Sequence, residues 1–370
     1  MPSRYFPLKL WWWSLDRTLF WVFVFLLCMG SFLVFSVGPV VAAKHGWSPL
    51  LFVKKHYAFA ILGLGLMMIC STLRKSTLFF WSLVILVLSV LLLAGTLTWG
   101  TVIKGGRRWI HLPLMGTFQP SEFVKPSLIL VTAWLLQNFP IHKAFVISGV
   151  VIGTIGAMLL RQPDVGMTVL ILGVWIVQIF YAGIPLRILM GMGCLGFVGF
   201  GIVFMTVPHV SRRISQFFCS DALTQFDGHY QVLQSLQGFR YGGFWGQGPG
   251  ASRVKHTMPD AHTDFIFSVG IEELGIFFGL SVLIAYGFVV FAALAHGERK
   301  TCLFQRYALV GLSVQLGLQV FINLGSVMKL IPPKGMTLPF ISYGGSALLS
   351  SAWMAGCILA LTHRYEKPGI

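Results

Sequence analysis

The sequence predicts an all-α integral membrane protein of about ten transmembrane helices, with one long polar loop and no separate soluble domain. Three observations carry that prediction. Of 370 residues, 56% are apolar and only 10% charged, with a mean hydropathy of +0.80, a balance that no soluble domain of this length shows. Apolar stretches close to the ~20 residues that a bilayer core requires recur along the whole chain. A single extended polar segment separates the last three of them from the rest.

The first span, residues 18–43, is uncharged and follows Trp11, Trp12, Trp13, Asp16 and Arg17, an aromatic and charged belt of the interfacial kind. It is too long for the apolar core of a cleaved signal peptide. Further spans are expected at 57–73, 78–98, 126–139, 144–160, 165–183 and 188–207, then at 265–295, 307–327 and 338–361. The chain thus reads as one polytopic domain: helices one to seven over 18–207, a long loop over 208–264, and helices eight to ten over 265–361. An even number of crossings puts both termini on one side of the membrane. Cys28, Cys70, Cys194 and Cys357 fall in apolar spans, Cys302 in a short charged loop and Cys219 in the long one, which suggests no disulfide framework.

The formal charge of +16 comes from 27 basic and 11 acidic residues. No basic helix or strand with interleaved aromatics accompanies it, so nucleic acid is not the expected partner. More than half of the basic residues fall opposite the termini, which a simple count of positive charge does not explain. Arg107, Arg108, Arg161, Arg212, Arg213, Arg240, Arg253, Lys255, Lys329 and Lys334 would share one compartment, either to bind a diphosphate or other polyanion or as a solvated surface. The polar segment there has scattered glycines and aromatics, no low-complexity run and a weakly amphipathic piece at 230–239, so it reads as functional.

The 11 acidic residues limit the acid–base candidates. Asp16, Glu298 and Glu366 flank helices beside basic residues, as interfacial charges do. Asp264 stands where the polar segment meets an apolar span, in Pro259-Asp260-Ala261-His262-Thr263-Asp264-Phe265. A carboxylate there can meet both water and substrate at the edge of a low-dielectric medium, which suits a general base for a sugar hydroxyl; the competing assignment is a helix N-cap. Glu272 and Glu273 lie about two turns into that span, where ionisable side chains need a partner or a polar cavity, and one of them is expected to face the bundle interior. Glu122 and Lys125, three residues apart at a helix start, either pair with each other or join Arg107 and Arg108 in a polar pocket at the membrane surface.

Gly242, Gly243, Gly246, Gly248 and Gly250 form a glycine-dense loop whose amides could cradle a phosphate, although it lacks the features of a nucleotide loop. His256, Asp260, His262 and Asp264 match no zinc spacing. A loosely held Mg²⁺ or Mn²⁺ bridging a carboxylate such as Asp264 and a diphosphate is the better expectation, with no organic cofactor.

Several stretches in fixed order resemble the SEDS family (shape, elongation, division and sporulation). They are His229-Tyr230-Gln231 through Gln234-Ser235-Leu236, Gly242-Gly243, Gly246-Gln247-Gly248, His262-Thr263-Asp264-Phe265-Ile266-Phe267 and Glu272-Glu273-Leu274-Gly275. Arg108-Trp109-Ile110, Gln119-Pro120-Ser121-Glu122 with Lys125, Pro163-Asp164 with Gly166, and Lys334-Gly335 leading into Leu338-Pro339-Phe340-Ile341-Ser342-Tyr343-Gly344-Gly345-Ser346 complete the pattern. One departure is Pro259-Asp260, where the family usually has Pro-Glu.

The resemblance implies a ten-helix, GT-C-like fold of the lipid-dependent glycosyltransferase type in the bacterial inner membrane, with cytoplasmic termini and a cleft under the long extracytoplasmic loop. It implies an enzyme that polymerises lipid II into β-1,4 glycan strands of peptidoglycan with undecaprenyl diphosphate as leaving group. Asp264 would be the catalytic residue, Arg108, Glu122, Lys125, Lys334, His262 and Ser342 would bind substrate, and Glu272, Glu273, Asp260, Gln234 and Ser235 would support them. The implied partners are a class B penicillin-binding transpeptidase (FtsI-like) and other membrane proteins of the division machinery. Thr337, Ala261 and the Trp11 to Arg17 start resemble the division-type branch; an elongation-type polymerase and a lipid II flippase are the alternatives.

Overall fold

The computed structural model describes residues 8–103, 106–112, 116–206, 227–332 and 335–363. A short helix, α1 (Leu8–Ser14), precedes α2 (Arg17–Lys44), whose N-cap is Asp16: its carboxylate accepts from the Leu19 amide at 3.1 Å. Next come α3 (Leu51–Ser71) and α4 (Lys75–Trp99), then a small antiparallel sheet that the apolar pattern does not announce. Its strands are β1 (Thr101–Ile103), β2 (Gly106–Leu112) and β3 (Gly116–Phe118), in spatial order, with Val102 opposite Arg107 and Ile110 opposite Phe118. The remaining helices are α5 (Pro120–Asn138), α6 (Ile141–Arg161), α7 (Val165–Tyr181), α8 (Leu186–Thr206), α9 (Asp227–Gly242), α10 (Val254–Thr257), α11 (Ile266–Glu298), α12 (Leu303–Val327) and α13 (Gly345–Leu361).

Among the described residues six helices, α2, α3, α4, α6, α11 and α12, are long and apolar enough to cross a membrane, and α7 and α13 are shorter apolar helices. Within hydrocarbon no hydrophobic force drives helices together, so close backbone approach and polar bonds across helices must do it. The α3–α13 crossing illustrates this: a Cβ added at Gly63 would lie 2.6 Å from Leu348 Cδ2, and one at Gly356 would lie 2.5 Å from Cys70 Cβ. Helices α5, α12 and α13 form the buried centre, and α2, α3, α4, α7 and α11 pack around them.

One end of the bundle gathers the first and last described residues. There His363 bonds Ser14 Oγ at 2.8 Å and the Ser71 carbonyl at 2.7 Å, Trp11 Nε1 donates to Ser71 Oγ at 3.0 Å, and Asp16 meets His296 at 2.9 Å. Trp11 is accordingly buried in the bundle, while Trp13 stays exposed beneath the Arg17 guanidinium. The β-hairpins, α9 and α10 lie at the opposite end, where Lys44 at the end of α2 donates to the carbonyls of Lys255 and Met258.

Three expectations need correction. The span expected at 265–295 is interrupted at Gly275, whose φ of 81° and ψ of 178° are not helical. The span expected at 338–361 becomes helical only at Gly345, because Pro339 and Gly344 oppose a helix before it. The long polar segment is no mere loop: α9 covers the amphipathic piece and packs on α11, with α10 beside it. Cys219, Arg212 and Arg213 lie outside the described residues.

Residues 335–344 dip into the bundle as irregular backbone. The Tyr286 hydroxyl, well down α11, donates to the Pro339 carbonyl, and the Phe340 carbonyl lies so close to Gly30, halfway along α2, that any side chain there would clash. Phe340 at the tip takes a left-handed φ of 66°. Non-helical backbone at membrane depth persists only where protein bonds satisfy it, and here Leu338 is bonded at both N–H and C=O within the segment.

Candidate active site

The geometry around Asp264 is built from its backbone. The carbonyls of three consecutive residues each accept from a different donor: His262 from the Tyr343 amide at 2.9 Å, Thr263 from Ser342 Oγ at 2.6 Å, and Asp264 from Asn323 Nδ2 at 3.1 Å. The re-entrant segment and α12 thereby fix the chain on which Asp264 is carried. The N-cap position of α11 is Phe265 and makes no side-chain cap bond, so Asp264 stands one residue outside the helix. It is half-buried, with its Oδ2 3.4 Å from where a Cβ on Gly335 would be.

His262 packs its ring against Phe52 at 4.9 Å and Tyr343 at 5.4 Å between centroids, beside Asp264 in sequence. Ser342 is buried: its hydroxyl also accepts from the Leu338 amide at 2.8 Å, so its observed contacts position backbone. Lys334 lies outside the described residues.

A second polar cluster forms where β2, α5 and the α6–α7 turn meet. Arg108 on β2 donates to the carbonyls of Gln162, at 3.1 Å, and Pro163, and lies 3.6 Å from the Asp164 carboxylate. Asp164 is the N-cap of α7, accepting from the Met167 amide. Its burial pushes the carboxyl above the ordinary carboxylate range, with Arg108 and the Met167 amide pulling the other way. Glu122 and Lys125 pair at 2.7 Å, both buried near the start of α5, and Lys125 Nζ also donates to Gln319 Oε1 at 3.0 Å. Sequence spacing left two readings for that pair, and the structure contains the ion pair within the polar cluster.

Glu272 and Glu273 are each 0% exposed, and both are committed to holding the chain between α9 and α11. Glu272 accepts from Ser252 Oγ and from the amides of Arg253 and Val254 at 2.9 and 3.2 Å. Glu273 Oε1 accepts from Lys255 Nζ at 2.8 Å and Ser36 Oγ at 2.7 Å. Lys255 is therefore a buried partner, not a cation of the outer surface.

The glycine-dense loop is likewise structural. Gly275 breaks α11, and the loop bonds the backbone groups that the break leaves over: Gln247 N donates to Glu272 O at 2.8 Å, Gly248 N to Glu273 O at 3.0 Å, and Ile276 N to Gly243 O at 3.0 Å. Glycine is required because the two backbones touch: a Cβ at Gly246 would clash with the Glu273 carbonyl and one at Gly275 with that of Phe244. The amides of Gly246, Gln247 and Gly248 are thereby committed and are not available as a phosphate cradle.

Asp260, Gln234 and Ser235 tie α9 down. Gln231 Nε2 donates to Asp260 Oδ2 at 3.4 Å, Thr257 Oγ1 to Gln234 Oε1 at 3.2 Å, and Ser235 Oγ to Val327 O at 2.9 Å. Among the described residues no group of three His, Cys, Asp or Glu side chains could hold a metal ion. Sequence reasoning missed Gln315, Gln319 and Asn323, buried along one face of α12; amides repeating every four residues inside an apolar helix were the available signal.

Fold and site together define a polytopic membrane protein whose helical bundle carries a half-buried carboxylate on anchored backbone and a buried polar cluster towards one end. A family model described as "Cell cycle protein", for FtsW, RodA and SpoVE, matches residues 17–367. The chain belongs to that family. It is 36% identical over 375 residues to the "Probable peptidoglycan glycosyltransferase FtsW" of Caulobacter vibrioides, covering 98% of this chain and 92% of that one. A protein of the same name from Geobacter sp. is 33% identical, over 94% and 97% of the two chains. Among solved structures, a chain of a peptidoglycan synthase complex superposes with a TM-score of 0.77 at 27% identity, covering 94% of this chain and 98% of that one. Thermus thermophilus RodA superposes with a TM-score of 0.69 at 26% identity, covering 96% and 99%.

Proposed function

We propose that this chain is a peptidoglycan glycosyltransferase that joins lipid II units through β-1,4 bonds, with Asp264 as general base. The observation that carries the reading is the triple anchoring of the His262, Thr263 and Asp264 carbonyls, which fixes the backbone that carries one half-buried carboxylate at the start of α11. Such preorganisation is what proton abstraction from a sugar hydroxyl needs.

In the reaction, Asp264 takes the proton of the acceptor hydroxyl, its oxygen attacks the donor's anomeric carbon, and the bond to undecaprenyl diphosphate breaks, the electron pair leaving on the diphosphate. Arg108, Lys125 and Glu122 supply the field that this group leaves into. Cations held in place there before the reaction stabilise the charge that develops on the leaving oxygen. Mg²⁺ or Mn²⁺, if used, would be held by Asp264 and would neutralise charge on the diphosphate.

The same reading takes the chain as a ten-span inner-membrane protein with cytoplasmic termini, acting at the division septum beside a class B penicillin-binding transpeptidase. The names of the Caulobacter and Geobacter relatives and the synthase-complex neighbour support it. The test is polymerisation of lipid II with Mg²⁺ by the purified chain, with and without the transpeptidase, read as glycan on a gel. Polymer that disappears with Asp264→Asn supports the assignment; polymer that survives it removes Asp264 as base, and translocation of lipid II without polymer would make the chain a flippase.

A further inference from the structure

The buried face of α12 holds a polar stripe of which the chemistry above uses only Asn323. Gln315, Gln319 and Asn323 recur every four residues in an otherwise largely apolar helix, and all three are buried. Amides at that depth are stable where they bond across helices. Gln319 does so at both ends: Oε1 accepts from Lys125 Nζ at 3.0 Å, and Nε2 donates to the Thr337 carbonyl at 3.0 Å. One turn further on, Asn323 Nδ2 donates to the carbonyls of Asp264, at 3.1 Å, and Met336. A single helix thus grips the Lys125–Glu122 pair, the 336–337 backbone beside Gly335, and the backbone of Asp264.

We propose that Gln319 is a positioning residue for glycosyl transfer, fixing the Lys125–Glu122 pair relative to Asp264 through its bridge from Lys125 to Thr337. The inference rests on the reading of Asp264 as base. Its physical basis is that both ends of the bridge are directional bonds to groups in separate elements, α5 and the re-entrant segment. Loss of the bridge lets the two elements drift apart, and a displacement of about 1 Å between reacting groups can lower a rate by roughly 100-fold.

The test compares the full chain with Gln319→Leu, which keeps the bulk but makes neither bond, and with Gln319→Glu. Amide hydrogen exchange over residues 335–343 is measured beside initial rates of lipid II polymerisation across substrate concentration and pH. In folded Gln319→Leu, exchange in that segment should rise about tenfold or more, and kcat should fall about 10- to 100-fold with KM within about twofold. Gln319→Glu should be most active where its carboxyl is protonated, because the acid can donate to Thr337 and accept from Lys125. Activity should decline as it ionises, a pH limb absent from the unsubstituted chain and foreign to a merely structural role.

Should Gln319→Leu fail to fold, the pH profile of Gln319→Glu decides. Unchanged exchange and kcat in folded Gln319→Leu, or a Gln319→Glu profile matching that of the unsubstituted chain, overturns the proposal. The exchange readout does not depend on turnover, so a failure of the unsubstituted chain to polymerise would count against the glycosyltransferase reading while exchange still judges the bridge.

Discussion

The Ser342 hydroxyl donates to the Thr263 carbonyl at 2.6 Å across 79 residues of sequence, and it accepts from the Leu338 amide at 2.8 Å. One small side chain thus closes the re-entrant segment on itself and clamps it to the residue before Asp264. Ser342→Ala leaves the part-buried Thr263 carbonyl and the buried Leu338 N–H without that partner. Unmet buried groups cost about 1–3 kcal/mol each, so the variant should melt at lower temperature in detergent and polymerise more slowly. An unaltered melting curve would show that the clamp is dispensable.

Glu273 and Lys255 form an ion pair of 2.8 Å with both side chains almost wholly inaccessible. Removing one partner strands the other, at a cost of about 3–5 kcal/mol, whereas replacing both with apolar groups is often neutral. Lys255→Met should therefore be the more damaging change, and Lys255→Met with Glu273→Leu should recover much of the loss. A double-mutant cycle on thermal stability measures this; simple additivity would mean the pair is not coupled.

Gly246→Ala tests the docking of the glycine loop into the broken helix. The residue has a φ of 80°, and its Cβ would run into the Glu273 carbonyl. The penalty should exceed the ~1–2 kcal/mol of a left-handed backbone alone, because the loop must also lift off α11. Faster exchange of the Gln247 and Gly248 amides is the expected signature. Gly243→Ala, which meets no atom within 4 Å, should cost only the backbone strain.

Asp164 gives a pH dependence of known sign. Its folded-state proton affinity is raised above the ordinary value near 3.8, chiefly by burial, so the folded state binds the proton more tightly than the unfolded chain. That contribution to stability is complete below the unfolded value and is lost as pH rises through the folded one. Asp164→Asn retains an N-cap acceptor for Met167 but does not titrate. The stability difference, native minus variant, should fall as pH rises from about 4 upward; a difference independent of pH would show that the carboxyl is not raised.

The sequence by itself determined the class of protein and the placement of most of its helices, because a bilayer imposes a length and polarity requirement that composition reports directly. It also singled out Asp264 as the candidate base, a charge at the junction of a polar segment and an apolar span. The sheet, the break at Gly275 and the dip at 335–344 were not legible, since each is irregular backbone satisfied by distant partners, and periodicity records only local repeats. The same holds for the purposes of neighbouring residues. Glu272 and Glu273 read as one buried and one undecided, yet both brace the chain between α9 and α11, and the glycines that resembled a phosphate cradle fill the gap in α11. Which carboxylates hold the fold was decided only by tertiary structure, because a buried charge or open amide takes its role from whichever partner the packing brings to it.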